Sequence, residues 1–167
     1  MNFVIDVTVY EFLKMHAECK NIENSEAIVL KIIEQANDLA GEKFPKDTNV
    51  TSLSGGQSRA LMITDTAILS TYPIVLIDEI ENAGIDRNKA LQLLLNEEKI
   101  VLMATHDPLL CLMADTRIVI KNGGIGAILS TTKKEKETLE KLWKMDFVIS
   151  DIRIKLRNGE EEVISVK

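Results

Sequence analysis

The spacing of apolar residues along the chain predicts alternating helices and strands. Apolar positions three or four residues apart predict helices at 8–20, 25–40, 54–70, 87–96, 108–114 and 132–144. Two continuous apolar runs rich in β-branched residues, Ile74–Ile77 and Ile100–Ala104, predict strands buried on both faces, as in a parallel sheet. The order strand, helix, strand is that of a βαβ unit, so the pattern favours an α/β fold.

Two later stretches have the alternation that is typical of β-hairpins. Residues 117–129 contain one, around an Asn-Gly-Gly turn. In the tail, apolar residues at 152, 154 and 156 alternate with basic ones, and Asn158-Gly159 follows. Since Asn-Gly is a strong hairpin turn, we expect a second, C-terminal β-hairpin within 147–166.

Composition and charge narrow the classes of protein that the chain can be. Its 167 residues are 46% hydrophobic and 28% charged, which is typical of one soluble domain or a small domain with an appendage. The net charge of −6 gives no basic field, so we expect no nucleic-acid partner. Two distant cysteines fit a reducing cytosol. No signal peptide or long apolar run is present, so we expect any link to a membrane to come through a partner.

Three short polar segments could carry chemistry. They are Ser54-Gly55-Gly56-Gln57 at the start of a helix, Asp78 and Glu79 at the end of the first strand, and His106 after the second strand. Free N–H groups and the dipole at a helix N-terminus favour phosphate, and carboxylates at a strand end suit a ligand of an α/β sheet. Taken singly, each has a plain alternative: a helix cap without a ligand, two exposed carboxylates, or a structural histidine.

Together, these segments resemble the second half of an ATP-binding cassette (ABC) ATPase. In order and spacing, Leu53 to Gln57, the acidic pair and Thr105-His106-Asp107 resemble its signature loop, Walker B strand and switch histidine. The stretch Asp6–Leu13 resembles the opening of the family's helical subdomain. The resemblance covers residues 6–130 and implies part of a P-loop NTPase core with a largely parallel sheet. We therefore expect three parts: a helical subdomain at 1–52, the signature helix and C-terminal half of the core at 53–130, and a C-terminal helix and β-hairpin at 131–167.

The resemblance also implies roles for individual residues and the cofactors ATP and Mg²⁺. The signature residues Ser54, Gly55, Gly56 and Gln57 would contact the γ-phosphate of a nucleotide held by the opposite subunit, and Asp86 of the D-loop would lie at the same site. Asp78 would hold Mg²⁺, Glu79 would act as general base, and His106 would bond the γ-phosphate. His16 matches no motif and is expected to be structural.

The D-loop departs from the family's pattern. Ile80 stands where a proline usually follows the acidic pair, and Ala83-Gly84-Ile85-Asp86 comes one residue later than usual. The distance from the signature loop to the acidic pair is also longer by one residue, and these two shifts indicate a divergent branch.

A phosphate-binding loop is missing from these residues. No G-x-x-x-x-G-K-[ST] motif occurs, nor any Gly-Lys pair. We therefore expect the chain alone to bind ATP poorly and to hydrolyse it only with a Walker A-bearing partner chain. Without the P-loop strand, Ile100–Ala104 would be an open edge, which a partner or self-association would cover.

The expected function is that of an ATP-binding subunit of a membrane transporter. Its partners would include transmembrane permease subunits, and its location would be cytoplasmic or peripheral at the inner face of the membrane. Two alternatives remain: a non-transport ABC ATPase that remodels a protein or cofactor, and a non-catalytic regulatory or interaction module.

Overall fold

The computed structural model describes residues 3–78, 80 and 84–160. Contacts between residues divide the chain into two units, Met1–Thr105 and His106–Lys167. The first unit consists of a helical part and a βαβ part, and the second of a β-hairpin flanked by two helices.

The helical part of the first unit contains three helices: α1 (Val9–Cys19), α2 (Ser25–Leu39) and α3 (Gly55–Leu69), with a 3-10 turn at Val50–Ser52 before α3. These confirm the three helices that the apolar spacing predicts. Thr8 caps α1 and exchanges hydrogen bonds with Glu11 in a capping box. The apolar sides of the helices meet in one core, which includes Leu13, Ile32 and Leu61, each fully buried.

The βαβ part contains β1 (Ile74–Asp78), α4 (Arg87–Asn96) and β2 (Ile100–Ala104), close to their predicted bounds. The two strands are parallel, and their register runs from Ile74 opposite Ile100 to Asp78 opposite Ala104. Side chains from α3 and α4 pack on one face of this pair, around the buried Ala67, Val75 and Leu94. The predicted parallel sheet is confirmed.

The other face of this sheet is exposed, so the prediction of burial on both faces is wrong for the described residues. Four large apolar side chains on it are between 50% and 77% exposed: Ile74, Leu76, Ile100 and Leu102. Both strands are apolar on both faces, but α3 and α4 cover only one of them.

The second unit contains α5 (Pro108–Met113), β3 (Thr116–Lys121), β4 (Gly124–Ser130) and α6 (Lys133–Arg157). The antiparallel pair β3–β4 confirms the first predicted hairpin, with Asn122 and Gly123 at positive φ in its turn. Arg117 of β3 forms an ion pair with Glu135 of α6, which ties the long helix to the hairpin.

The predicted C-terminal hairpin is wrong for the residues that the structure describes. Residues 147–157, which include its expected first strand, belong to α6, and Gly159 ends this helix instead of turning a hairpin. With φ +74, Gly159 donates to the carbonyl of Leu156, and Glu160 donates to that of Lys155. This pair of bonds is the Schellman motif of a helix C-terminus, which needs a left-handed glycine just as an Asn-Gly hairpin does. Residues 161–167, where the second strand was expected, lie outside the described residues. Apart from this hairpin, the predicted division into parts at 1–52, 53–130 and 131–167 stays a prediction.

Candidate nucleotide-binding site

The signature loop is held by its own side chains. Ser54 is the N-cap of α3: its Oγ accepts a hydrogen bond from the Gln57 N–H at 3.3 Å, and Gln57 Oε1 accepts one from the Ser54 N–H at 2.9 Å. A hydroxyl can accept and donate at once, so this cap is compatible with Ser54 donating to a phosphate oxygen.

Gln57 also anchors the loop to the rest of the first unit. Its Nε2 donates to the carbonyl oxygen of Glu42 at 3.2 Å, in the segment after α2. The side chain therefore bonds to backbone groups on two segments, which gives it a structural role. Its expected contact with nucleotide stays a prediction.

Gly55 is a glycine that the fold itself does not need. Its φ is not in the left-handed region, and a Cβ atom placed on it would meet no atom within 4 Å. The space in front of it is open, and it occupies the first turn of the 15-residue helix α3. A glycine at a helix N-terminus leaves the backbone N–H groups accessible, so a phosphate can approach them closely. The approach of such a ligand would explain why this position is a glycine.

The structure brings the D-loop turn beside the signature loop. Gly84 has φ +65, and a Cβ atom added to it would lie 3.9 Å from the Cα of Gly56. The turn is fixed to the end of α2, because Ile85 forms a β-bridge with Ala40 and the Asp86 N–H donates to the carbonyl of Leu39 at 2.9 Å. Two segments that the sequence separates by about thirty residues thus form one surface.

Asp86 has a structural role that sequence reasoning missed. Its Oδ1 accepts hydrogen bonds from the N–H groups of Asn88 and Lys89, both at 3.1 Å, so it is the N-cap of α4. An aspartate just before an apolar helical pattern is a known cap signal and could have been recognised. Its contact with nucleotide stays a prediction. Ile80 stands where a proline is usual in the family that the sequence resembles. Its side chain is only 2% exposed, so a buried apolar side chain takes that position here.

Asp78 ends β1 at the carboxyl edge of the sheet, and its side chain is exposed. A single carboxylate at such an edge is a fitting ligand for Mg²⁺ that is otherwise held by phosphate oxygens and water. Within residues 3–78, 80 and 84–160, no cluster of three or more His, Cys, Asp or Glu side chains could hold a metal by itself. Glu79 and Ala83 lie outside the described residues.

His106 is the first residue of the second unit. In the sequence it comes two residues after Ala104, the last residue of β2, which lies opposite Asp78 in the sheet register. Its side chain is exposed. The next residue, Asp107, caps α5 by accepting from the N–H groups of Leu109 and Leu110 at 2.8 and 3.3 Å. The Asp-Pro pair after the histidine thus starts a helix.

A contact between His16 and a buried carboxylate holds the signature helix α3 to α1. His16 of α1 lies with Nδ1 2.9 Å from both carboxylate oxygens of Asp65, which is 3% exposed in the middle of α3. Burial raises the pKa of the Asp65 carboxyl, while the contact with His16 opposes that rise. His16 is therefore structural, as expected. Sequence reasoning missed its partner, although a charged residue inside the apolar run of α3 was a signal, because such residues are rarely buried unpaired.

The fold is similar to that of a protein from an ABC transporter complex. The structure of cbiO1 from Clostridium perfringens, part of the ABC transporter complex cbiONQ, superposes with a TM-score of 0.52, covering 92% of this chain and 60% of that one. The identity is 20%, so this likeness concerns the fold. The predicted α/β fold of an ABC ATPase is confirmed at that level.

Two proteins are similar in sequence. An uncharacterized ABC transporter ATP-binding protein of Methanocaldococcus jannaschii is 53% identical over 160 residues, which are 96% of this chain and 61% of that protein. ABC transporter A family member 5 of Dictyostelium discoideum is 34% identical over 106 residues, 60% of this chain and 6% of that protein. No protein-family model matches the sequence. The chain is thus similar in sequence to ABC transporter ATP-binding proteins, and spans about three fifths of the length of the first relative.

In the part of the chain that the structure describes, every helix is too short or too polar to cross a lipid bilayer.

Proposed function

We propose that this chain contributes the signature loop, Walker B carboxylates and switch histidine to an ABC-type ATP site. The observation that carries the proposal is Gly55, whose lack of a side chain serves no contact or backbone conformation within the fold. The sequence relationship to ABC transporter ATP-binding proteins supports it independently. The chain would act as an ATP-binding subunit of a membrane transporter, at the cytoplasmic side and next to permease subunits.

Each candidate residue has a role in this proposal. The Ser54 hydroxyl and the N–H groups of Gly55 and Gly56 bind the γ-phosphate of a nucleotide on the opposite subunit, where the N-terminus of α3 stabilises negative charge. The other candidates would act on the nucleotide of their own subunit, once it is held. Asp78 would hold Mg²⁺, Glu79 would orient and deprotonate the attacking water, and His106 would bond the γ-phosphate. When bound, Mg²⁺ would neutralise part of the negative charge of the phosphates at this site.

The phosphate-binding loop has to come from outside these 167 residues, and we assign it to a separate Walker A-bearing chain. The exposed face of the β1–β2 sheet supports a missing neighbour, because Leu76 and Ile100 on it are 77% and 59% exposed. A further strand beside this pair and a helix over its bare face would cover them, as parallel sheets require. The alternative source is a longer form of the same polypeptide.

Reconstitution of ATP hydrolysis tests the proposal. The 167-residue chain alone should show no ATPase activity above background. Activity should appear when a P-loop chain from the same organism is added, and Glu79→Gln should abolish it, while Glu34→Gln on the exposed side of α2 should not. Robust turnover by the chain alone, or by the Glu79→Gln variant, would contradict the assignment. Activity only in a longer single polypeptide would reject the separate chain and keep the site.

A variant of the signature loop tests the carrying observation directly. Gly55→Ala should leave the stability of the chain within about 0.5 kcal/mol of the wild type, because the added methyl group meets open space. The same change should lower reconstituted turnover at least about tenfold, since the methyl group would stand between backbone and phosphate. Unchanged turnover would show that no ligand approaches Gly55.

A further inference from the structure

The segment at the end of α2 contacts both loops of the candidate site. The carbonyl of Leu39 accepts a hydrogen bond from the Asp86 N–H of the D-loop turn at 2.9 Å. Further along, the carbonyl of Glu42 accepts one from Gln57 Nε2 of the signature loop at 3.2 Å. Residues 39–44, the bridging segment, therefore connect two loops that are separate in the sequence.

The bridging segment and the two loops also approach closely through their backbones. A Cβ atom added to Gly41 of the bridging segment would lie 3.5 Å from the carbonyl oxygen of Gly84, in the D-loop turn. One added to Gly84 would lie 3.9 Å from the Cα of Gly56, in the signature loop. Both are contact distances, so the gaps between these backbones are about one methyl group wide. A displacement of the bridging segment would therefore disturb both loops.

Asn37, near the end of α2, fixes the far end of the bridging segment. Its Nδ2 donates to the carbonyls of Ile33 at 3.0 Å and Phe44 at 3.1 Å, and its Oδ1 accepts from the Phe44 N–H at 2.7 Å. The Phe44 side chain is 4% exposed and packs in the core of the helical part. At the near end, the Ala40 N–H donates to the carbonyl of Ala36 and completes the last turn of α2. The segment is thus held at both ends.

We propose that the bridging segment sets the relative position of the signature loop and the D-loop turn, with Asn37 and Gln57 as positioning residues. Asn37 acts through the backbone of Phe44, and Gln57 acts through the carbonyl of Glu42. The two loops then meet the opposite subunit as one surface instead of moving separately. The positions of the loops follow from these contacts alone, whereas the effect on turnover rests on the proposed ATP site.

Removal of the two positioning residues should have different effects. Asn37 holds the bridging segment itself, so its loss should loosen both loops together. Gln57 connects the segment to the signature loop only, because the D-loop turn has its own bonds to Leu39 and Ala40. Loss of the Gln57 side chain should therefore loosen the signature loop and leave the D-loop turn in place.

Amide hydrogen exchange of the 167-residue chain, resolved by NMR without nucleotide, tests this difference. In Asn37→Ala, the Ser54 and Asp86 N–H groups should exchange at least about tenfold faster than in the wild type, because three hydrogen bonds are lost. In Gln57→Met, the Ser54 N–H should become faster, since it loses the Oε1 acceptor, and Asp86 should keep its rate. Unchanged exchange at either group in Asn37→Ala, or faster exchange of Asp86 in Gln57→Met, would overturn the proposal.

Further measurements separate positioning from a general loss of stability. The Leu13 N–H, in the middle of α1, reports the opening of the whole helical part. Faster exchange there with unchanged rates at the two loops would make Asn37 a merely structural residue. Asn96→Ala, at an exposed position of α4, is the matched control and should change none of these rates. Asn37→Ser is a milder variant, because its hydroxyl can still donate to the carbonyl of Ile33, and it should show the same pattern to a smaller extent.

Steady-state kinetics of the reconstituted ATPase test the consequence for catalysis. Asn37→Ala and Gln57→Met should each lower kcat about three- to tenfold and change KM for ATP less than about twofold, because the P-loop chain holds the nucleotide and the two loops act on hydrolysis. A raised KM with an unchanged kcat would contradict the positioning role. If the wild type gives no turnover with any P-loop chain, the proposed ATP site fails, and the exchange pattern still decides whether the bridging segment positions the loops.

Discussion

His16 and Asp65 offer a quantitative test of how the signature helix is held. His16→Ala removes the ring whose Nδ1 lies 2.9 Å from both oxygens of a carboxylate that is only 3% exposed. Removing one partner of a buried pair costs about 3–5 kcal/mol, because the buried carboxylate is left without its hydrogen-bond partner. The side chain of His16 is 33% exposed, so water can enter the vacated space. We therefore expect a loss near the lower end, about 3 kcal/mol at about pH 7.

The loss should depend on pH in a defined direction. Burial raises the pKa of Asp65 above its ordinary value of 3.8, and the variant removes the His16 contact that opposes this rise. A carboxyl whose pKa is higher in the folded than in the unfolded state destabilises the fold above that folded pKa. This destabilisation disappears as the pH falls below the unfolded value. The deficit of His16→Ala should therefore shrink between about pH 7 and about pH 4.

Amide hydrogen exchange in a urea series measures this effect within the first unit. Peptides from α1 and α3 report the opening of the helical part separately from the second unit. Adding Asp65→Asn to His16→Ala should recover about half of the lost stability, because an unpaired neutral amide costs less than an unpaired charge. Lys14→Ala, on the exposed side of α1, should change stability by less than about 0.5 kcal/mol. A deficit below about 1 kcal/mol for His16→Ala, or one that is equal at both pH values, would refute the reasoning.

Three further variants test other parts of the fold. Gly84→Ala should lower the free energy of unfolding by about 1 kcal/mol because φ there is +65, and a lower urea midpoint than that of Gly55→Ala would verify it. Hydrogen bonds from Thr132 and Arg117 lower the pKa of Glu135 from 4.5 to about 2. The ionised side chain therefore stabilises the fold fully above pH 4.5, and this stabilisation is lost as the pH falls through about 2. Glu135→Gln should therefore flatten the acid transition followed by tryptophan fluorescence, and an unchanged transition would contradict this. Leu94→Ala, at a fully buried site, should cost about 3 kcal/mol in urea denaturation, and Leu95→Ala, at an exposed site, less than about 0.5 kcal/mol; equal losses would disprove the packing.

Sequence alone determined the features that depend on neighbouring residues. The capping boxes of Thr8 and Ser54 follow from bonds within a single turn, and the apolar runs at 74–77 and 100–104 were sufficient to predict two adjacent parallel strands. The site motifs were predicted in the same way, from their order and spacing along the chain, and their roles stay a prediction. Their shared surface was not predicted, since the approach of Gly84 to Gly56 depends on how two distant segments fold back.

Tertiary structure decided what local patterns left ambiguous. Apolar residues at 152, 154 and 156 fit a strand, but 152 and 156 also fit the helical spacing of apolar residues in α6, and a left-handed Gly159 serves either a hairpin turn or a helix end. Only the continuous helix from Lys133 shows which one applies. Two further features became visible only in the tertiary structure: the exposed face of the β1–β2 sheet and the contact of His16 with Asp65. An apolar run indicates that a strand can be buried on both faces. Packing between segments far apart in the chain decides which neighbours bury it.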